Sequence, residues 1–460
     1  MDQERKRNRI LGLLFFGVLM AALDIAIVGP ALPSIQRVFG ADERALSWVF
    51  SIYVLGNLVG TPPIAALSDR FGRRALYIAS LSGFALGSLL VAFAPSLTML
   101  LLGRLVQGVS AGGIFPVASA VIGDTFPPER RGTALGLIGA VFGIAFLIGP
   151  ILGGLLLLLG WQRLFLINVP IAAGLIRFSL KLLPGRIAKP AAAFDLIGLV
   201  VLGLLLTGLA YGLTELDPVQ LGRGEIPWLA VGALVIAVAL VPVFVTVERR
   251  AAEPILQPAI FRSRQIWLTT ALAIGAGIAE SAIVFVPALL TAAYGVSSST
   301  ASFMLLPVVL AMAVGSPVSG CMLDQFGSRI VVTIGVVLSG VGLMILGGWP
   351  TSLVLFYGAS LLIGLGLAIL LGAALRYILL NEVPAHERAA AQGLLTVTMG
   401  SGQLLGAVLV GLIAAAGGGG AFGYGLAFLV IGAGIFLLTV AALGLKDRAA
   451  ERASALAHAQ

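Results

Sequence analysis

Stretches of about 20 apolar residues follow one another along most of the chain, separated by short polar segments. Each stretch can cross the hydrocarbon core of a bilayer as an α-helix, because a helix rises 1.5 Å per residue. The pattern therefore predicts an all-α polytopic membrane protein with 14 transmembrane helices. We expect these helices near residues 10–32, 46–67, 75–94, 98–122, 132–157, 162–183, 195–215, 226–247, 267–293, 301–322, 329–348, 352–379, 389–414 and 421–445.

The basic residues are distributed unevenly between the two sides of this predicted topology. Of the 28 lysines and arginines, only Arg37, Arg44, Arg163 and Arg223 fall on the side away from the N-terminus, and Arg104 falls inside a helix. Cytoplasmic loops carry such an excess of basic residues. We therefore expect both termini in the cytoplasm and the chain in the bacterial cytoplasmic (inner) membrane. The bias also explains the formal net charge of +8 without a nucleic-acid partner.

The composition narrows the class of protein further. Hydrophobic residues make up 59% of the chain and charged residues 10%, whereas soluble domains carry about 25% charged residues. The lipid bilayer is therefore an expected partner. The single cysteine, Cys321, excludes an intramolecular disulfide, and the histidines, His386 and His458, fall in a predicted loop and the tail. Because no nucleophile–base pattern or metal-ligand cluster appears, we expect neither an enzyme nor a bound metal or cofactor.

Two sets of matches reveal an internal repeat. Residues 65–74 recur at 320–329 with an offset of 255, and four glycines recur with an offset of 257, namely Gly136, Gly143, Gly149 and Gly154. Eight predicted helices separate the copies, so both copies keep the same orientation. This indicates two six-helix bundles in a parallel repeat with two inserted helices. The expected domains are residues 1–190, the inserted pair at 191–250, and a second bundle with a cytoplasmic tail at 251–460.

Three ionisable residues are expected at one depth in the membrane. Asp24 lies about 21 Å and Glu280 about 20 Å from the cytoplasmic side, and Arg104 lies about 10 Å from the other side of a core of about 30 Å. Buried carboxylates near an arginine can titrate near neutrality. Asp24 is thus a candidate proton carrier and Glu280 a candidate substrate-binding acid. The alternatives are a purely structural Asp24–Arg104 pair, an Arg104 that reaches the outer interface, and a hydrated Glu280 without a coupling role.

Other residues are candidates for an apolar substrate cavity. Tyr53, Phe285 and Tyr294 lie in or near the predicted helices, and Gln107 follows Arg104 by three residues. The alternative for each aromatic residue is that it faces lipid or packs between helices, as most aromatics in such helices do.

A glycine-rich apolar segment covers residues 139–154 and ends in Gly149, Pro150, Gly153 and Gly154. Such a helix can approach its neighbour closely, and a proline can bend it. The segment resembles the signature GxxxGPxxGG on the fifth helix of proton-coupled exporters of the major facilitator superfamily, with Ala145 in place of the first glycine. The resemblance implies that these four residues take part in the conformational change of transport.

Two further segments resemble signatures of the same superfamily. Residues 104–113 resemble the fourth-helix signature RxxQGxGaa, whose arginine the family uses for proton coupling, which implies that role for Arg104. Residues 65–74 resemble the cytoplasmic loop signature GxxxDRxGRR, which implies a latch in which Asp69 and Asp124 hold one gating state. The remaining residues implied for this latch are Arg70, Gly72, Arg73 and Arg74.

Residues 23–33 resemble the first-helix motif of the fourteen-helix drug:proton antiporters, and residues 161–170 and 194–198 resemble two more of its motifs. The resemblance implies a proton-coupled efflux antiporter that exports hydrophobic compounds by alternating access. Two buried acids, Asp24 and Glu280, against one buried arginine favour cationic compounds among them. The proton gradient would supply the energy, and the oligomeric state stays open. The alternatives are an exporter of a lipid or amphipathic metabolite on the same fold, or a non-transporting membrane receptor or scaffold.

Overall fold

The fold is that of a computed structural model, which describes residues 2–126, 128–183, 195–215, 226–251, 254, 263–372, 374–383 and 388–451. The first part contains α1 (Asp2–Phe39), α2 (Glu43–Phe71), α3 (Arg73–Ala92), α4 (Leu97–Thr125), α5 (Pro128–Leu157), α6 (Gln162–Leu166) and α7 (Asn168–Leu182). Two more helices follow, α8 (Leu196–Glu215) and α9 (Trp228–Arg250). The last part contains α10 (Arg264–Val284), α11 (Val286–Tyr294), α12 (Ser298–Met304), α13 (Leu306–Phe326), α14 (Ser328–Gly348), α15 (Leu353–Leu371), α16 (Ala374–Glu382), α17 (Arg388–Ala416), α18 (Gly420–Leu437) and α19 (Thr439–Leu443).

These helices form 14 passes, each of which runs from one side of the protein to the other. Five of the passes consist of two consecutive helices, namely α6–α7, α10–α11, α12–α13, α15–α16 and α18–α19. Twelve passes are long and apolar enough to cross a membrane. The other two are α2 and α5, which contain 29 and 30 residues. The chain is therefore an all-α, multi-pass membrane protein, and the predicted fold class is confirmed.

Prolines explain where two passes are broken. The sequence pattern predicts unbroken helices over 267–293 and 301–322, but breaks occur at Phe285 and Leu305. Pro287 and Pro307 lie in the first turns of α11 and α13, where a missing backbone N–H costs least. By contrast, α1 runs through Pro33 and ends at Phe39 rather than near residue 32.

The packing groups the passes into two bundles. In the first, α1 packs against α5, and α4 packs against α2 and α3. In the second, α10 packs against α17, and α15 packs against α13 and α14. The inserted helix α8 packs on α9 and also touches α2 and α17, one helix from each bundle. The domain boundary expected at residue 190 lies outside the described residues.

Glycines bring two helix pairs close together next to the candidate site. A Cβ atom on Gly108 of α4 would clash with the carbonyl oxygen of Tyr53 on α2, and one on Gly277 of α10 would clash with the carbonyl oxygen of Met399 on α17. Backbones can approach this closely only where a side chain is missing. These contacts fix the positions of Tyr53 and of the α10–α17 pair.

Both ends of the described chain lie on one side of the protein, which we call the terminal face. Near the start of α1, Arg7 Nε donates a hydrogen bond to the carbonyl oxygen of Thr125 at the end of α4 (3.0 Å). Near the other end of the chain, Lys446 forms an ion pair with Glu382 at the end of α16. We call the side where α1 ends and α2 begins the opposite face.

Candidate functional site

The first bundle contains a fully buried ion pair. Arg104 on α4 donates a hydrogen bond through Nη1 to Asp24 Oδ2 on α1, and neither side chain is exposed. The Nε of Arg104 donates to the carbonyl oxygen of Val49 (3.0 Å). Its guanidinium carbon lies 4.3 Å from the centre of the Tyr53 ring, a cation–π contact. Asp24 and Arg104, which the sequence predicts at one depth, are therefore in direct contact inside the first bundle.

Two amides complete the surroundings of Asp24. Gln107 Nε2 and Asn168 Nδ2 both donate hydrogen bonds to Asp24 Oδ1, at 3.1 and 3.0 Å. The same two nitrogens lie 2.8 and 3.2 Å from the Ser88 hydroxyl oxygen. An ionised carboxylate can accept every one of these donors, so the geometry suits an ionised Asp24. We refer to Asp24, Arg104, Gln107, Asn168 and Ser88 as the sealed network.

Sequence reasoning did not identify Asn168 and Ser88. Asn168 lies in the segment 161–170, whose sequence signal is its resemblance to a family motif. The signal that could have found it is physical, because an amide in an apolar helix needs a partner in the membrane interior. Ser88 carries no such signal, since serine can bond to its own helix backbone.

A separate cavity lies between the two bundles. Its volume is about 30 Å³, room for about two water molecules and far below the several hundred Å³ of a drug-binding pocket. A drug-sized substrate therefore needs the bundles to separate further. The lining residues are Ile25, Ala26, Gly29, Pro30, Pro150, Glu280, Ile283, Val284, Leu305, Val308, Val309, Met312 and Leu367.

Glu280 is the acid of this cavity. Its Oε2 accepts a hydrogen bond from Gln403 Nε2 on α17 at 2.7 Å. Asp24 does not line the cavity, although its α1 neighbours Ala26 and Gly29 do. Helix α1 thus separates the two acids, with Asp24 on its bundle side and Glu280 facing its cavity side.

The other candidate substrate residues lie elsewhere. Tyr53 and Gln107 belong to the surroundings of Arg104 and are buried. Phe285 is buried at the break between α10 and α11. Tyr294 ends α11 near the opposite face, and its buried hydroxyl has no hydrogen-bond partner among the described residues. Of the predicted substrate-binding residues, Glu280 alone lines the cavity.

The glycine-rich part of α5 packs against α1 near this cavity. A Cβ atom on Gly149 would lie 2.5 Å from the Ala26 Cβ, and one on Gly153 would lie 3.1 Å from Pro30 Cγ. Pro150 lines the cavity on the same stretch of α5. The glycines therefore let α5 lie directly on the cavity-lining part of α1.

The same stretch of α5 also joins the second bundle. Ser302 Oγ on α12 donates to the carbonyl oxygen of Pro150 (2.7 Å), and Ser299 Oγ donates to that of Gly154 (2.6 Å). The Phe303 ring fills the space that a side chain on Gly154 would need. These contacts hold the two bundles together on the side of the cavity nearer the opposite face.

Three more hydrogen bonds join the bundles at the opposite face. Ser298 Oγ lies 3.0 Å from Ser34 Oγ and accepts a hydrogen bond from Arg37 Nη2 (3.2 Å). The Glu43 carboxylate on α2 accepts a hydrogen bond from the backbone N–H of Gly420 at the start of α18 (3.4 Å). Both bundles therefore meet along the opposite face.

At the terminal face, the start of α3 is held to α4. Arg73 Nε forms an ion pair with Asp124 Oδ2 at 3.3 Å, and both side chains are partly exposed. Gly72 makes the turn with a φ of 98°, which favours glycine. Arg74 is half-buried in the first turn of α3. The side chains of Asp69 and Arg70 lie outside what the structure describes, so their predicted latch role stays a prediction.

Comparisons with known proteins agree on the family. The model of the Major Facilitator Superfamily matches residues 14–287 and 266–459. The chain is 32% identical over 415 residues to the Bacillus subtilis protein named uncharacterized MFS-type transporter YfiU, with 89% of this chain and 80% of that protein covered.

Two relatives have names that state a cargo. The tetracenomycin C resistance and export protein of Streptomyces glaucescens is 31% identical over 417 residues, covering 88% of this chain and 76% of that protein. The triacylglyceride transporter of Mycobacteroides abscessus is 30% identical over 430 residues, covering 88% and 82%. The two cargoes differ, although the identities and the coverage are nearly the same.

Proposed function

The chain belongs to the major facilitator superfamily and is a membrane transporter, and from this we propose that it is a proton-coupled antiporter that exports hydrophobic, cationic compounds. The observation that carries the proposal is the buried Asp24–Arg104 pair. A buried ion pair adds little stability compared with apolar residues of the same volume. Charges in the membrane interior are therefore a reason to infer a functional role.

The proton is the ligand that fits the sealed network. Both side chains of the pair are fully buried, and α1 stands between Asp24 and the cavity. No organic substrate reaches the carboxylate in this arrangement, whereas a proton can move along hydrogen-bonded groups. We therefore propose that Asp24 carries the transported proton, and that Arg104 holds it ionised after proton release.

The cavity supports a cationic, apolar cargo. Its described walls are apolar apart from Glu280. A carboxylate in such low-dielectric surroundings attracts a cation more strongly than it would in water. If the proton at Asp24 and the cation in the cavity favour different conformations, their opposing effects couple the two fluxes by linkage.

We propose alternating access around this cavity. The opposite face is closed by the α5–α12 contacts at Pro150 and Gly154, so the described conformation would load substrate from the terminal face. The basic residues on that side favour a cytoplasmic terminal face and a location in the bacterial inner membrane. The Arg73–Asp124 pair ties α3 to α4 within one bundle, a contact that would help that bundle move as a unit.

Transport by reconstituted protein tests the proposal. In liposomes with an acidic lumen, molecules inserted with the terminal face outward should accumulate ethidium in exchange for protons. Collapse of the pH gradient with nigericin should stop accumulation, and protein-free liposomes should show none. Accumulation that persists without a pH gradient would contradict proton coupling.

Export of a lipid is the second candidate, because the triacylglyceride transporter is as similar to this chain as the drug exporter is. The apolar walls of the cavity also suit acyl chains. The same liposomes can carry a fluorescent triacylglyceride. Transport of that lipid without transport of ethidium would favour the second candidate.

A further inference from the structure

Asp24 and Glu280 occupy matching positions in the two repeats. The segment Asp24–Val28 reads Asp-Ile-Ala-Ile-Val, and the segment Glu280–Val284 reads Glu-Ser-Ala-Ile-Val. The offset is 256 residues, between the offsets of 255 and 257 found for the other repeated segments. Both segments lie in the first pass of their bundle. Glu280 is therefore the counterpart of Asp24 in the second bundle.

The surroundings of the two acids are not repeated. At the same offset, the counterparts of the arginine and the two amides of the sealed network are Ser360, Ile363 and Tyr424. The second bundle thus has no cation at the position that neutralises the acid of the first bundle. The described hydrogen-bond partner of Glu280 is instead Gln403, on a different helix.

Gln403 is held firmly beside Glu280. Side chains on Gly277 of α10 and Gly402 of α17 would each clash with the backbone of the facing helix, so the two helices are in close contact at this level. The Gln403 amide occupies Glu280 Oε2, and Glu280 Oε1 accepts no hydrogen bond among the described contacts. One carboxylate oxygen is thus fixed while the other stays available to a ligand.

We propose that Glu280 and Gln403 form a docking site for the positively charged end of an amphipathic organic cation. In this site Gln403 is a positioning residue that orients the carboxylate toward the cavity. The apolar body of the ligand would lie against Val308, Met312 and Leu367 once the bundles separate. One carboxylate suits a single positive charge. This inference rests on the proposed function, because it names the place where the exported cation binds.

Binding of tetraphenylphosphonium to the purified full-length protein tests the site, with triphenylphosphine oxide as a neutral probe of similar shape. Glu280→Gln should weaken binding of the cation at least about tenfold and leave the neutral probe within about twofold, because it removes the charge and keeps the volume. Gln403→Leu should weaken cation binding by a smaller factor, roughly threefold to tenfold, since the carboxylate stays but loses its orientation. Ser401→Ala is the matched control on α17, because Ser401 bonds only to the Val397 carbonyl of its own helix in the described contacts.

The exchanged pair Glu280→Gln/Gln403→Glu separates a binding role from a structural one. It moves the carboxylate from α10 to α17 and keeps the amide–carboxylate hydrogen bond, so cation binding should return to within about threefold of the wild type. Failure of the exchanged pair to regain cation binding, while it still binds the neutral probe, overturns the inference. Equal loss of both probes in Glu280→Gln also overturns it. Because binding needs no pH gradient, these results are independent of whether wild-type transport is proton-driven.

Discussion

The acid of the first bundle is enclosed within that bundle, whereas the acid of the second bundle faces the cavity between the two bundles. Asp24 contacts Arg104, Gln107 and Asn168 in a fully buried network. Glu280 stands at the matching repeat position, lines the cavity, and contacts Gln403. The same backbone position therefore supports two different chemical environments.

This difference supports the proposal that the two bundles have different roles in transport. A carboxylate whose charge is already neutralised by an arginine has little attraction left for an organic cation. A carboxylate without a nearby cation keeps that attraction. We therefore propose that the first bundle carries the proton and the second binds the cation, with α1 as the wall between the two acids. The following changes break or sharpen this comparison.

Neutralising the first acid should have the largest effect on transport. Asp24→Asn keeps the size of the side chain and removes the group that we propose carries the proton, so pH-gradient-driven accumulation should fall at least about a hundredfold for cationic and neutral substrates alike. Ethidium and a neutral dye, measured in parallel in acid-loaded liposomes, provide the check. Wild-type rates in this variant would remove Asp24 from the coupling mechanism.

Changing the wall between the two acids should also block transport. Gly149→Leu would push α5 away from Ala26, where even a Cβ atom would lie only 2.5 Å from the Ala26 Cβ. Overpacking of this kind costs about 1–3 kcal/mol, and the displaced α1 should stop alternation or open a proton leak. Gly174→Leu is the matched control, because a Cβ atom there meets nothing within 4 Å. Unchanged transport and proton leak in Gly149→Leu would argue against this role for α1.

Removing the arginine should make the first acid resemble the second. Arg104→Leu leaves the Asp24 carboxylate buried without its cation, which should cost about 3–5 kcal/mol of stability. Adding Asp24→Asn to this variant should recover most of the loss, because no uncompensated charge remains. Unfolding of the two purified variants in the same detergent measures the difference. Equal stability of the single and double variants would contradict the role of Arg104 as the partner of the Asp24 charge in the sealed network.

Removing one amide should have the smallest effect of the series. Asn168→Leu takes one donor from Asp24 Oδ1 but leaves Gln107 and Arg104 in place. The free energy of unfolding should therefore fall by about 1–2 kcal/mol. The double variant with Asp24→Asn gives the coupling between the two residues in a double-mutant cycle. A coupling energy of zero would mean that Asn168 does not support the carboxylate.

The sequence predicts most of the fold because lipid restricts the choices. Runs of apolar residues in a bilayer must be helical, so all 14 passes could be located. The apolar pattern predicts no break at Phe285 or Leu305, although Pro287 and Pro307 follow these residues by two positions. Hydropathy alone cannot distinguish a broken pass from one that runs through its proline, as α1 does at Pro30 and Pro33.

The candidate site could be predicted only in part. Charges buried in a membrane need partners, so the meeting of Asp24 and Arg104 follows from their depth. The direction in which the Tyr53 side chain points cannot be predicted in this way. Helix α2 and its neighbours are apolar on most sides, and no face is marked as the cavity side. For the same reason, the sequence does not show that α1 forms a wall between Asp24 and Glu280. The wall appears only when the neighbours of each side chain are known.

Proton release by the purified wild-type protein tests the central claim most directly. Tetraphenylphosphonium is added to detergent-solubilised protein in weak buffer at several pH values, while a pH indicator and a binding measurement are followed together. We predict that the wild type binds the cation and releases protons, and that Asp24→Asn binds it at Glu280 but releases none. Binding without proton release by the wild type at every pH, or equal release by Asp24→Asn, would contradict the assignment of the proton to the first bundle and the cation to the second.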